Sequence, residues 1–190
     1  MEDKQTLLAL ARRVIACRIS GDDPFHCDIP DSEALAVKTG AFVTITSCGK
    51  LRGCIGYLEP IAPLYKSVMD NADNIVLRNG GRRPLQAQEM DDLHIEISLL
   101  TQPEPIDSIE HISVGQHGIL LRKGHRQAVF LPQVLVENGW SVEEALAQLA
   151  EKAGLGPTGW QKQCRISRFA ATVFTGQQCR PESLLLHSAA

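Results

Sequence analysis

Residues 40–57 read Gly-Ala-Phe-Val-Thr-Ile-Thr-Ser-Cys-Gly-Lys-Leu-Arg-Gly-Cys-Ile-Gly-Tyr, and this segment sets the class of the fold. Residues 41–46 are mostly β-branched or aromatic and alternate in polarity, as in a strand with one buried face. Residues 47–50 are of the kinds that form tight turns. Residues 51–57 then return as a second strand, so the segment predicts a β-hairpin.

The rest of the chain supplies helices and further strands on both sides of this hairpin. Apolar spacing predicts helices over residues 6–18, 31–37 and 63–76, and a capping box of Ser141 and Glu144 starts another. Alternation predicts strands over residues 94–100 and 165–175 and a second hairpin over residues 118–131. Because strands and helices are interspersed without a strand–helix–strand unit, we expect an α+β fold. Its sheet is mostly antiparallel, with flanking helices and two intimately packed subdomains.

The predicted fold fills the chain as one unit. Residues 1–190 are expected to form a single domain, since no linker, repeat or low-complexity segment divides them, and residues 176–190 are expected to be an irregular tail. The first twenty residues carry charges among the apolar positions, and no apolar run is long enough to span a bilayer. We therefore expect a cytoplasmic protein that is not inserted in a membrane.

Charge and cysteine content exclude several classes of function. A net charge of -3 and a pI near 6.1 argue against a general electrostatic grip on nucleic acid. Local basic clusters leave a small anionic ligand open. The six cysteines form no C-x-x-C pair, and the four histidines considered as ligands lack metal-ligand spacing. We expect free thiols, no metal and no cofactor. The four histidines that lack metal-ligand spacing are His94, His111, His117 and His125.

The second strand of the hairpin carries the candidate chemistry, in the hexapeptide Leu51-Arg52-Gly53-Cys54-Ile55-Gly56. Glycines inside a strand imply a bulge, or a close approach by a ligand or another backbone. In ideal strand geometry Arg52 and Cys54 point to the same face, where the guanidinium would lower the thiol pKa or hold an anion. The alternative is a bulged hairpin with a buried, inert cysteine.

Two further residues are candidates for proton transfer. His117, at the entry of a strand, is a candidate general base, and the alternative is a turn histidine that bonds backbone groups. Glu96 lies on the polar face of its strand, where it would serve as an acid or as a partner for Arg52. A solvated strand face explains it equally well.

On these residues the chain resembles the AMMECR-type family, known as AmmeMemoRadiSam system protein A. The hexapeptide is that family's signature, and similar flanking blocks extend the resemblance over about residues 5–175. The resemblance implies an α+β fold with the hexapeptide in the sheet, near a groove between two subdomains. It also implies MEMO-like and radical SAM proteins as partners. The chain departs from the family at residues 78–84, where an Asp-Pro-Arg-Phe-like stretch is usual.

Three hypotheses for function follow, and they leave open whether the protein is an enzyme. In the first, the hairpin of a binding or accessory component holds a small anionic ligand, a peptide or a partner loop, with residues 51–56 and Glu96 forming the site. In the second, Cys54 is the nucleophile of a thiol-dependent enzyme, Arg52 stabilises its thiolate and His117 or Glu96 handles the proton. In the third, the domain is an interaction scaffold with a structural cysteine.

Overall fold

The computed structural model describes residues 2–25, 32–77 and 84–176. Its helices are α1 (Glu2–Ser20), α2 (Glu33–Ala36), α3 (Leu64–Leu77), α4 (Pro132–Asn138) and α5 (Val142–Lys152). Its strands are β1 (Gly40–Ser47), β2 (Lys50–Tyr57), β3 (Leu93–Leu100), β4 (Glu104–Ile106), β5 (His117–Lys123), β6 (Arg126–Phe130) and β7 (Arg165–Thr175). Single 3-10 turns cover Ala87–Glu89, Ile109–His111 and Gly159–Gln161.

The predicted hairpin is confirmed as β1 and β2, joined by the two-residue turn Cys48-Gly49. Both turn residues have positive φ, 49° and 71°. Such turns match the right-handed twist of the strands they join, and glycine at the second position adopts this conformation without cost.

The strands of the described residues form one curled antiparallel sheet in the order β2-β1-β3-β7-β5-β6. The long strand β7 joins its two halves. The end of β7 nearer the C-terminus pairs with β3, and its other end pairs with β5 on one side and the short β4 on the other. The expected α+β fold with an antiparallel sheet is confirmed.

Each half of the sheet has its own core, as expected for two packed subdomains. Helices α1 and α3 cover one face of β1 and β3, where Val43, Ile45 and Ile97 are fully buried. Helix α5 covers β5 and β6 through Leu146 and Leu149. A third cluster lies on the opposite face of the sheet, between the halves, and consists of Phe42, Leu100, Leu120, Leu131 and Phe169.

Several boundaries differ from the sequence-based expectation. Helix α1 extends beyond both of its predicted ends. In the described part of the chain, no helix is long and apolar enough to cross a membrane. The three-residue strand β4, which contains Pro105, was not predicted. The unpredicted helix α4 has Pro132 at its first position and Gly139 in left-handed conformation after its end. The departing residues 78–83 and the tail 177–190 lie outside the described residues.

Candidate functional site

A β-bulge in β2 decides which way the hexapeptide faces. From the turn, Leu51 pairs with Thr46, but Gly53 then pairs with Ile45, so Arg52 is the extra residue. Without the bulge Cys54 would lie opposite Val43 and point into the core under α3. With it, Cys54 lies opposite Thr44 on the uncovered face. The bulge expected from the glycines is thereby confirmed.

The expectation that Arg52 and Cys54 share a face is wrong, because the bulge breaks the alternation between them. Arg52 lies on the helix-covered side, where its Nε is 3.0 Å from Oε1 of Glu89. The 3-10 turn that carries Glu89 is held against α1 by Arg12, whose guanidinium donates to the Met90 carbonyl oxygen at 3.0 Å. The Arg52 and Glu89 side chains are each only 15% exposed. Arg52 is therefore built into an ion pair away from the thiol.

On the uncovered face, a row of polar residues crosses four strands. Cys54 of β2 pairs with Thr44 of β1, Thr44 with Glu96 of β3, and Glu96 with Thr175 of β7. The Thr44 hydroxyl donates to Sγ of Cys54 at 3.2 Å. The structure thus brings together Cys54 and Glu96, two of the predicted site residues.

This row forms part of the floor of a concave cleft of about 780 Å³, which we call the sheet cleft. Helix α4 and the residue before it form a wall over the strands. A volume in this range suits a small-molecule ligand. Leu51, a predicted site residue, is part of the lining. Gly176, which directly follows β7, is part of it as well. The residues that line it are Thr44, Thr46, Gly49, Leu51, Cys54, His94, Ile95, Glu96, Leu131, Gln133, Val134, Glu137, Thr175 and Gly176.

Glu96 is the half-buried carboxyl group of the sheet cleft. Nε2 of Gln133 donates to its Oε1 at 2.9 Å. Burial raises the pKa of Glu96, the bond from Gln133 lowers it, and the charge of Glu137 raises it. The other end of the Gln133 amide, Oε1, is buried without a hydrogen-bond partner among the described residues. A carboxyl with a raised pKa and an unpartnered amide oxygen in a concave site are features of ligand-binding sites.

The Cys54 thiol lines both the sheet cleft and a second, neighbouring cleft. The residue as a whole is exposed, but protein atoms on both sides displace much of the water around sulfur. This burial raises the pKa of the thiol. The bond from Thr44 and the charge of Lys152 lower that pKa, whereas Glu96 and Glu137 raise it. The nearby cation is thus a lysine of α5 and not Arg52, and the thiol is not activated overall.

The second cleft, of about 640 Å³, lies between β2 and the β5–β6 hairpin, and we call it the seam cleft. Nη2 of Arg122 is 2.7 Å from Oε1 of Glu59 across it. Nζ of Lys152 donates to the Val129 carbonyl oxygen at 3.0 Å. The predicted residues Cys54, Ile55 and Gly56 line it. The full lining is Phe42, Cys54, Ile55, Gly56, Tyr57, Leu58, Glu59, Ile61, Arg122, Gln127, Ala128, Val129 and Lys152.

The structure does not bring His117 to Cys54. His117 begins β5, lines neither cleft, and accepts a hydrogen bond at Nδ1 from the Ser113 backbone N–H at 3.0 Å. Burial and the charge of Arg168 lower its pKa. No group of three or more His, Cys, Asp or Glu side chains within residues 2–25, 32–77 and 84–176 is placed to hold a metal ion.

Replacing Glu96 with glutamine is expected to raise the melting temperature at pH 7 by a few degrees. Because burial raises the folded-state pKa of Glu96, its ionisation disfavours the folded state as pH rises through that value. Below about pH 4, where the carboxyl of the unfolded chain is also protonated, the difference should disappear. Thermal unfolding from pH 3.5 to 8 measures it. The exposed Glu110→Gln is the control, and an equal pH profile for both variants would refute the expectation.

Several residues of the two clefts escaped the sequence-based prediction. Gln133 and Glu137 lie on the unpredicted helix α4, which Pro132 and Gly139 could have revealed. Lys152 ends the helix that the capping box begins, but the packing of α5 against β6 that brings it near Cys54 left no local signal. Thr44 was assigned to a strand, and its pairing with Cys54 depends on the bulge.

The chain is similar in sequence to several known proteins and similar in fold to a solved structure. The AMMECR1 family model matches residues 8–174. A protein of Methanopyrus kandleri is 36% identical over 188 residues, 94% of this chain and 90% of the other. A protein of Thermococcus gammatolerans is 38% identical over 179 residues, 88% and 87% of the two chains. The crystal structure of an uncharacterized protein from Pyrococcus horikoshii is 34% identical, with a TM-score of 0.82 and 90% of both chains covered.

Proposed function

The chain belongs to the AMMECR1 family, and from that premise we propose that it is a binding module whose small ligand lies in the sheet cleft. One observation carries the proposal: Glu96, half-buried and with a raised pKa, lies on the floor of a concave cleft that the Cys54 thiol also lines. A desolvated carboxyl group costs stability unless a partner compensates it, and a ligand is such a partner.

The charges of the sheet cleft favour a ligand with a positive or hydrogen-bond-donating group. Among the described residues, its lining contains the carboxyl groups of Glu96 and Glu137 and no lysine or arginine. The buried amide oxygen of Gln133 offers a further acceptor. The sequence had favoured an anion held by Arg52, but that guanidinium pairs with Glu89 on the helix-covered face. An anion in the sheet cleft would therefore meet the two carboxyl groups and not the Arg52 guanidinium.

The other hypotheses receive less support. A thiol-dependent enzyme needs an acidic thiol and a nearby base, whereas burial raises the Cys54 pKa and His117 lies elsewhere. A scaffold with a structural cysteine needs that side chain to be packed in a core, whereas Cys54 lines two clefts. The accessory role beside MEMO-like and radical SAM proteins, which the resemblance implies, stays a prediction.

Disulfide capture at Cys54 tests the proposal, because the thiol itself borders the cleft. Cysteamine, 2-mercaptoethanol and 2-mercaptoethanesulfonate are each supplied with their symmetric disulfide at one fixed ratio. Mixed disulfide at Cys54 is then measured by peptide mass spectrometry. We expect cysteamine to be captured about fivefold more than the neutral thiol, as roughly 1 kcal/mol of charge attraction would give.

The variant Glu96→Gln is expected to remove most of that preference, and the matched Glu110→Gln to leave it unchanged. The yield of mixed disulfide with the sulfonate depends on the basic seam cleft, so it is not compared with the yields of the other two thiols. If cysteamine and 2-mercaptoethanol are captured equally, or if Glu96→Gln leaves their ratio unchanged, the proposed ligand class is wrong.

The Cys54 thiol is expected to react with iodoacetamide more slowly at pH 7 than a free cysteine does. The raised pKa leaves less thiolate, so the rate should rise through a midpoint above about 8.5, the free value. Lys152→Met should move that midpoint higher still, because it removes a charge that favours the thiolate. N-acetylcysteine is the reference. A midpoint below the free value would revive the thiol-enzyme hypothesis.

A further inference from the structure

The seam cleft runs along the edges of two strands and not over the face of either. Side chains of consecutive strand residues point to opposite faces of a sheet. The cleft is nevertheless lined by consecutive residues 54–57 of β2 and by consecutive residues 127–129 of β6. Only a cavity beside both backbones touches such unbroken runs, so the two strand edges face one another across it.

Both strands are edges of the sheet in the described part of the chain. There β2 pairs only with β1, and β6 pairs only with β5. In an antiparallel ladder, alternate residues of an edge strand turn their N–H and C=O groups away from the neighbouring strand. The Val129 carbonyl oxygen is one such group, because it accepts a bond from the Lys152 ammonium at 3.0 Å. The Val129 carbonyl therefore points into the cleft, where the Lys152 ammonium takes the place of a pairing strand.

Small residues border the cleft on both edges, and the Phe42 ring packs directly over Gly56 of β2. Gly56 has no side chain, and Ala128 on the other edge has a short one. Residues 54–57 span about 13 Å at the rise of a strand, enough to pair with three or four residues of an extended segment. This length suits a short extended peptide that lies along the edge of β2.

The charges that line the seam cleft favour one kind of bound peptide segment. Its lining carries the cations Arg122 and Lys152 and one carboxylate, Glu59. The Arg122–Glu59 pair is partly exposed, at 38% and 65% of the two side chains, so an incoming carboxylate can compete for the guanidinium. Lys152 also lies 5.0 Å from the centre of the Phe130 ring, which holds its ammonium at the cleft. The excess positive charge favours an acidic occupant.

We infer that the seam cleft binds an extended acidic peptide segment of a partner protein, which adds as a strand between β2 and β6. Backbone hydrogen bonds to the two edges give the affinity, and an acidic side chain near Lys152 and Arg122 gives the selectivity. The inference deepens the proposed function by naming a partner class. It rests on the chain being a binding module but not on what the sheet cleft holds.

Selection from a phage library of random eight-residue peptides against the full chain tests this inference. We expect recovered peptides to combine Val, Ile or Thr with Asp or Glu. Fluorescence anisotropy of the synthetic peptides should show about tenfold weaker binding to Lys152→Glu and near-parental binding to Lys152→Arg. N-methylation of either alternate set of peptide amides should weaken binding strongly, since one set meets the edge of β2 and the other meets the edge of β6.

Amide hydrogen exchange gives a readout that does not depend on the variants. Bound peptide should slow exchange in residues 54–57 and in 127–129. No enriched peptide, no such slowing, or binding indifferent to N-methylation would overturn the inference. So would equal displacement by inorganic phosphate, which points to a small-anion site, or protection that grows with protein concentration alone, which points to a second copy. If peptide binding fails while the cysteamine preference at Cys54 persists, the proposed function stands without this partner class.

Discussion

Replacing Gly56 with alanine is expected to lower the free energy of unfolding by about 3 kcal/mol, the upper part of the range for overpacked sites. An added Cβ would lie 2.2 Å from Cγ of Phe42 and 2.5 Å from the backbone oxygen of Ala41. Neither atom is the free end of a flexible side chain, so the strand pair itself has to move. Urea unfolding followed by circular dichroism measures the change.

Gly176→Ala is the matched control, because nothing lies within 4 Å of its added Cβ and its φ is ordinary. Its stability should stay within about 0.5 kcal/mol of the parent. If Gly56→Ala behaves like the control, Phe42 repacks freely. The close approach expected from the strand glycines would then come from a ligand and not from the fold.

Replacing Arg52 with alanine is expected to cost about 2–3 kcal/mol of stability without affecting ligand capture at Cys54. The substitution removes the guanidinium that lies 3.0 Å from the mostly buried carboxylate of Glu89, and losing one partner of such a pair is costly. The sequence-based binding hypothesis expects the reverse, a loss of capture. Urea unfolding and the cysteamine preference, measured on the same variant, distinguish the two.

Arg122→Ala is the control for Arg52→Ala, since it removes an ion pair whose partners are much more exposed. Its cost should stay below about 1 kcal/mol. Equal costs for the two variants, together with a lost cysteamine preference in Arg52→Ala, would show that Arg52 acts in the site.

Local patterns were sufficient to predict most of the fold. Strand β7 was predicted with its observed bounds, and α5 begins at the predicted capping box of Ser141 and Glu144. Both rest on short-range rules, alternation and helix capping, which hold before any tertiary contact forms. Helix α4 was missed because its few residues carry too short an apolar period to stand out.

The candidate site was harder to predict, because one inserted residue controls it. The sequence singles out Cys54 and Glu96, but the faces of Arg52 and Cys54 depend on where the bulge falls. A shift by one residue exchanges the two faces of a strand. The two glycines indicate a bulge without saying which neighbour becomes the extra residue. Gln133 and Lys152 reach the site only through the packing of helices distant in sequence.

Strand β7 has a consequence for synthesis on the ribosome. It is the last strand of the described chain, yet it lies between β3 and β5 and joins the two halves of the sheet. Until residue 175 has left the exit tunnel, the nascent chain carries two additional open edges, β3 on one half and β5 on the other, with no strand to pair them. Open edges are templates for association between chains. We therefore expect premature release before residue 165 to yield aggregates, and a slow approach to the native state to begin only when β7 emerges.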